Sequence, residues 1–301
     1  MGLARPALRF LIREHRRHPL AGPLLQLGRQ SLALDEAEIA ALLRAEGVKP
    51  PAHSPPARSR DVFFFNQLGL RDVHALDFSA YEGADLIHDL NQPIGEKLVG
   101  RFNFILDGGT SEHVFDVRQT MQNIVRLLQP GGRILHMQPA NNYVNHGFFQ
   151  FSPTFYYDYY AANGFTDLRG YLFEHGAKKP FQGRLYELNP FIRQNQIASG
   201  NYHRSMMVFF HAQKGPHSSG DVVPTQTHYA ALAGKTAPMA ANYSAPGLKK
   251  KINRGLPRPV VRALQRGITA LGLESPGLDP FFDPTRHRGH PWGLKYLGPL
   301  D

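Results

Sequence analysis

The chain has 301 residues, 42% of them hydrophobic and 19% charged, which suits one large domain with additions, or two domains, around a sizeable core. It contains no cysteine, and this excludes disulfides, thiolate metal sites and a cysteine nucleophile. The net charge of +10 sits at the two ends: residues 1–20 carry five arginines against one glutamate, residues 245–301 carry ten Lys/Arg against four acids, and the middle is balanced.

The N-terminal run RPALRFLIREHRRHPL is basic but lacks the apolar core of a secretory or twin-arginine signal. No window approaches about 18 uninterrupted apolar residues, so no membrane-spanning helix is expected, and a cytoplasmic protein is. The basic ends suit an anionic partner (nucleic acid, a membrane surface or an acidic protein), or simply a pair of solvated helices. No RNA-recognition signature or zinc-finger spacing accompanies them.

In chain order, residues 5–17 read as an amphipathic helix with Leu8, Leu11 and Ile12 on one side. LLQLG (24–28) suits a short strand. SLALDEAEIAALLRAEG (31–47) reads as a helix ending in Gly47, and KPPAHSPPARSR (49–60) as a proline-rich loop. DVFFFNQLG (61–69) is a short helix. Three strands follow, at 73–78, 84–91 and 102–109. Residues 117–129 have helical spacing, Pro130-Gly131-Gly132 ends that helix, and RILHMQP (133–139) is the next strand. Ser152 and Pro153 open an aromatic-rich helix running to Gly164. Late strands are expected at 167–175 and 205–214. Residues 215–248 look like a linker or an extended surface arm, 258–273 like a basic helix, and the tail holds the single tryptophan, Trp292. Strands alternating with helices predict an α/β fold, a parallel sheet with helices on both faces.

In such sheets ligands bind beyond the C-terminal strand ends. Three successive strands end in an acid: Asp77, Asp89 and Asp107. A carboxylate after the second strand can accept both hydroxyl protons of a ribose. Asp89 could take an adenine amino proton while the backbone at Leu90 reads the ring edge. Asp107 with Gly108-Gly109 lies where the reacting end of a ligand belongs, because glycines let the backbone come close. A single aspartate after a strand is as well explained by a helix cap or a turn. Three in register favour a site.

The segment FNFILDGGTSEHVFDVRQTMQNIVRLLQPGGRILHM resembles the central part of class I S-adenosylmethionine-dependent methyltransferases, above all in LLQPGGRIL (127–135). The resemblance covers roughly residues 20–215. It implies a Rossmann-like, mostly parallel sheet, S-adenosylmethionine as cofactor, Asp77 on the ribose, and Asp89 with Leu90 on the adenine. Gly28, Arg29, Asp107 and Gly108 complete the implied cofactor set. The chain departs from the pattern at its first strand. The family's glycine-rich turn is here Gly28-Arg29-Gln30, so side chains stand where the cofactor usually meets bare backbone. Arg29 could meet the cofactor carboxylate or Glu112.

Methyl transfer to a hydroxyl needs alignment, exclusion of water and a general base. Asp107, Glu112, His113 and His146 stand near the expected site. His146 is the first choice for the base and His113 the second, since imidazole as a side-chain type titrates near neutrality. The rings at 148–160 serve either as a helix face packed on the sheet or as a pocket for an aromatic or sugar acceptor. No HExxH pattern or other paired short spacing appears, so no metal site is expected; GxSxG is absent too. The expected organisation is a basic N-terminal helix (1–20), a methyltransferase domain (21–215) and a linker with a basic C-terminal extension (216–301). The expected function is methylation of a small molecule or saccharide hydroxyl. The competing expectation is a non-catalytic protein of the same fold, serving as a binding or assembly module. A homo-oligomer is compatible with either.

Overall fold

The computed structural model describes residues 2–49, 51, 56–176, 183–188, 204–234 and 294–300. Short, largely apolar runs build a nine-stranded sheet. Its parallel half comprises β2 (Leu24–Leu27), β4 (Val73–Asp77), β5 (Leu86–Ile87), β6 (Phe102–Asp107) and β7 (Leu128–Asn141), in the order β5-β4-β2-β6-β7. The antiparallel half adds β10 (Met206–Gln213), β8 (Thr166–His175), β9 (Gly183–Leu188) and β11 (Leu294–Pro299) beyond β7. The parallel strands taken in chain order run 3-2-1-4-5, the doubly wound order whose direction of winding reverses between β2 and β6.

Side chains alternate between two faces, as a period of two requires. Leu24, Phe104, Leu106, Leu135 and Phe209 join one core, shared with α1 (Arg5–Arg17), α2 (Glu36–Ala45) and α3 (Arg60–Gln67). Leu25, Leu27, Ile105, Ile134 and Phe210 join the other, shared with α4 (Val117–Leu127) and α5 (Pro153–Ala162). The N-terminal helix is thus a structural layer of the sheet. Phe10 packs 5.0 Å from the rings of both Tyr171 and Phe209. The arginines of α1 meet local acids: Arg9 and Arg13 reach Glu46 at 2.8 and 3.4 Å, and Arg5 reaches Glu38 at 3.3 Å.

Several boundaries differ from the sequence expectation. The helix expected at 31–47 begins at Glu36, because Asp35 caps it: its carboxylate accepts from Glu38 N while the Glu38 side chain accepts from Asp35 N. Ser31–Leu32 (β3) pairs instead with Gly2–Leu3 (β1). The strand expected at 84–91 shrinks to Leu86–Ile87. Before it, Asp85 turns its carboxylate onto Ala75 N; after it, Asn91 N donates to Asp89 Oδ1 and bends the chain. The turn Pro130-Gly131-Gly132 is absorbed into β7. Lys214 Nζ caps the end of α4 by donating to the carbonyls of Val125 and Leu128.

The segment read as a linker from 215 is, in its first part, an arm laid along α5. Asn163 bonds Val222 at both its N–H and its carbonyl, and Asp158 holds Thr227 at the start of a short helix, α6 (Thr227–Leu232). Strands β9 and β11, which extend the sheet beyond β8, are additions to the expected set. The expected helix at 258–273 and Trp292 lie outside the described residues. Among the described residues no helix is long and apolar enough to cross a membrane.

Phe10 is buried between the helix and the strands. Phe10→Ala should therefore destabilise the protein by about 3–5 kcal/mol, read as a lower urea midpoint with unchanged slope. A loss under about 1 kcal/mol would show that α1 is not part of the cooperative unit.

Candidate functional site

The reversal of winding between β2 and β6 leaves a crevice beyond their C-terminal ends, the place where ligands bind in open α/β sheets. Gly28 follows β2 at φ +68°, and a Cβ there would lie 2.8 Å from Thr110 Oγ1. Gly108 follows β6, and a Cβ there would lie 2.8 Å from Gln30 Oε1. The positive φ of Gly28 demands glycine, a side chain on Gly108 would displace the Gln30 carboxamide, and the room both glycines create is filled by the chain itself. Thr110 Oγ1 donates to Leu27 O at 2.6 Å, and Gln30 Nε2 donates to the carbonyls of Leu27 and Gly28. Gln30 Oε1 is a buried acceptor without a donor.

Arg29 points away from this crevice. Its guanidinium pairs with buried Asp61 at 2.9 Å and donates to Gly83 O, so it does not meet Glu112. Asp61 is itself held by Gln26 Nε2. A cleft of about 450 Å³ opens on this side, next to Arg29, Gln30, Arg58, Arg60, Asp61 and Gly83.

Asp77 ends β4, half-buried. Its Oδ1 accepts from Phe78 N, and its Oδ2 lies 3.8 Å from the Cβ position of Gly28. The ends of β2 and β4 thus present a carboxylate beside a glycine. Asp89 stands one strand further out, where the backbone N–H and side-chain amide of Asn91 hold its carboxyl below the usual range. Leu90 is buried, and its carbonyl accepts from Asn123 Nδ2.

Asp107 is placed differently from the other two. It has no exposed surface. Burial alone would raise its pKa, but the His136 ring and Ser111 outweigh this and hold it below the ordinary value. Ser111 Oγ donates to Oδ2 at 2.6 Å, the backbone N–H groups of Thr110 and Ser111 donate to Oδ1, and His136 Nδ1 lies 2.7 Å from Oδ2. With Asp107 ionised, the network assigns the proton to Nδ1, and Tyr160 donates its hydroxyl to Nε2 at 2.7 Å. Sequence reasoning missed His136, Ser111 and Tyr160. A histidine in the middle of the apolar run RILHM was the available signal.

This network fixes the short turn Ser111–His113. Glu112 is fully buried, and neither carboxyl oxygen has a hydrogen-bond partner. Its pKa is pushed up to about 8 by burial and then by the Asp107 charge. The loop after β7 folds over it: Glu112 O accepts from Phe148 N at 2.8 Å and Phe149 N at 3.2 Å. A Cβ on Gly147 would lie 2.8 Å from that same carbonyl, so only glycine lets the loop come so close. His113 and His146 are brought together in this way, rings 5.2 Å apart, each with Nε2 3.7 or 3.6 Å from Glu112 Oε1. Burial and the neighbouring His146 lower the His113 pKa. Exposed Phe115 and Phe148 meet edge to face 5.5 Å apart beside them.

The residues expected at the site therefore form three groups. Gly28, Gly108 and Asp77 meet at the crevice, with Asp89 and Leu90 on its outer flank. Asp107 is interior. His113 and His146 pair around Glu112. The tyrosines of α5 belong mostly to the core, with Tyr156 stacked on His136.

No family model and no curated protein matches the sequence. Among solved structures, the chain is similar to the CMeT domain of the citrinin polyketide synthase at 11% identity and TM-score 0.39, over 70% of this chain and 52% of that one. The chain thus spans about half the length of that neighbour. It is also similar to the Burkholderia thailandensis 1,6-didemethyltoxoflavin-N1-methyltransferase with bound 1,6-didemethyltoxoflavin and S-adenosylhomocysteine (16% identity, TM-score 0.36, 70% of this chain and 78% of that one). A third neighbour is a SAM-dependent methyltransferase from Archaeoglobus fulgidus (12%, 0.37, 69% and 94%).

Glu112 keeps its proton to about pH 8 when folded, against an ordinary value of 4.5. Its contribution to stability is fully present below pH 4.5 and is lost as the pH rises through 8. In EDTA-treated buffer the urea midpoint of the wild type should fall across this window, and Glu112→Gln should flatten the fall. Parallel curves for the two proteins would contradict the burial of an unpaired carboxyl.

Proposed function

We propose that this chain is a methyltransferase that uses S-adenosylmethionine and acts on a hydroxyl of a small molecule or saccharide. The observation that supports this most is the pairing of Asp77 with Gly28 across the ends of the neighbouring parallel strands β4 and β2, next to the point where winding reverses. A carboxylate there is set to accept the two hydroxyl protons of a ribose.

The residues fit the cofactor at its nucleoside end, with Asp77 for the ribose and Asp89 with Leu90 for the base. At the amino-acid end Gln30 takes the place of a glycine, and its buried Oε1 is an unmatched acceptor suited to an ammonium donor. Bound there, the cofactor supplies an electrophilic methyl group on a sulfonium. The chain's own residues do the rest. Asp107 holds the Ser111–His113 turn in place. His146, or His113 with its lowered pKa, accepts the proton of the acceptor hydroxyl. Exposed Phe115 and Phe148 offer ring surface for the acceptor to pack on.

One observation favours a second reading. The Gln30 carboxamide sits directly on Gly108, where the family pattern leaves open backbone. On this reading the crevice is closed and the fold serves as a non-catalytic binding or assembly module.

Titration calorimetry with S-adenosylmethionine and S-adenosylhomocysteine separates the two. The enzymatic reading expects saturable heat and at least about a tenfold weakening by Asp77→Ala, since hydrogen bonds to a charged group are worth about 1.5–3 kcal/mol. Gln30→Ala should weaken binding if Oε1 contacts the cofactor. Absence of heat and of thermal shift in both wild type and Gln30→Ala would favour the module.

A further inference from the structure

We propose that Glu112, His113 and His146 form a binding site for a first-row divalent transition-metal cation at the C-terminal edge of the sheet. Three observations carry it. First, one donor atom from each residue lies within 4.8 Å of the others, from two chain segments joined only by the fold. Three donors about 2.1 Å from a tetrahedral ion stand about 3.4 Å apart. The two imidazole Nε2 atoms are already 3.7 and 3.6 Å from Glu112 Oε1, close to that spacing, and both rings are partly exposed and can turn toward a shared ion.

Second, Glu112 is completely buried and both of its oxygens lack a hydrogen-bond partner. Buried polar groups nearly always have partners, and an orphan signals a missing water or ion. Two imidazole nitrogens face this one, at distances too long for hydrogen bonds and suited to a shared ion. Buried Asp107 adds negative charge behind the carboxylate and favours a cation in front of it.

Third, the ligands are held from behind. The Glu112 carbonyl receives two N–H groups from the loop that carries His146, and Gly147 permits that approach. Ser111, beside Glu112, is bonded twice to Asp107. Meanwhile the histidine side chains remain about 40% exposed, 41% for His113 and 38% for His146. Three protein ligands with an open side are the arrangement of a site that admits an exchangeable ligand, and the donor set of two imidazoles and a carboxylate suits zinc, cobalt, manganese or iron(II). With the cation bound both imidazoles are ligands and neither is the base; an acceptor hydroxyl on the open side would instead lose its proton to solvent more readily. That consequence rests on the proposed methyl transfer, whereas cation binding does not.

The test uses the whole 301-residue chain, stripped with EDTA and dialysed. Calorimetry with Zn²⁺ and visible absorption with Co²⁺ should each report one tight equivalent. Glu112→Gln, His113→Ala and His146→Ala should each weaken it by roughly 100-fold or more, beyond the loss typical of a supporting residue. Gly147→Ala, which leaves every ligand in place, should weaken it as well and change the Co²⁺ spectrum. A His287→Ala/His290→Ala control should leave it intact. Asp77→Ala should keep Zn²⁺ binding while losing S-adenosylhomocysteine, and Glu112→Gln should do the reverse, so each proposal can fail alone. Absence of a tight equivalent in wild type, or equal Zn²⁺ affinity in Glu112→Gln with circular dichroism unchanged, overturns the site.

Discussion

A single buried carboxylate organises the functional end of this molecule. Asp107 has no access to water, so its charge is tolerable only if donors surround it. They come from three elements: the Thr110–Ser111 turn, His136 of β7 and, through His136, Tyr160 of α5. One charge thereby ties a parallel strand pair, the turn after the first strand, and a helix on the sheet's face. Local backbone preference would not hold a glycine-containing turn in one shape. The charge does, because moving any donor exposes the cost of an unpaired buried ion.

That arrangement has a consequence one residue further on. The turn that satisfies Asp107 points Glu112 inward with nothing to bond, and sets a second acid close to the first. The protein accepts this strain in polarity at the C-terminal edge of its sheet, where a doubly wound fold places ligands. Gln30 Oε1 is likewise an acceptor without a donor at the same edge. These acceptors face a crevice and a histidine pair.

The surplus of positive charge reads differently once the fold is known. On α1 the arginines lie against Glu14, Glu38 and Glu46, and Arg169 of β8 reaches Glu14 at 2.9 Å. Much of the basic N-terminus therefore serves the packing of a helix on the sheet. Its apolar face, not its charge, connects it to the rest of the molecule, through Phe10, Tyr171 and Phe209.

The sequence alone determined the class of fold and the positions of the main parallel strands, the short β5 excepted. The apolar runs FNFILD and VHALD, the helical spacing in VRQTMQNIVRLL and the Ser152-Pro153 cap are properties of short segments, and short segments carry them wherever they lie. The three aspartates, the odd first turn and His113 with His146 were legible for that reason. Which of these residues meet was decided by sheet order and register. Gln30 reaches Gly108 because β2 lies beside β6; Asp107 becomes interior because His136 stands opposite it in β7; Glu112 and His146 meet because a loop 33 residues on from His113 bonds back to a single carbonyl. Contacts of that range depend on every strand between them, and no local pattern records them.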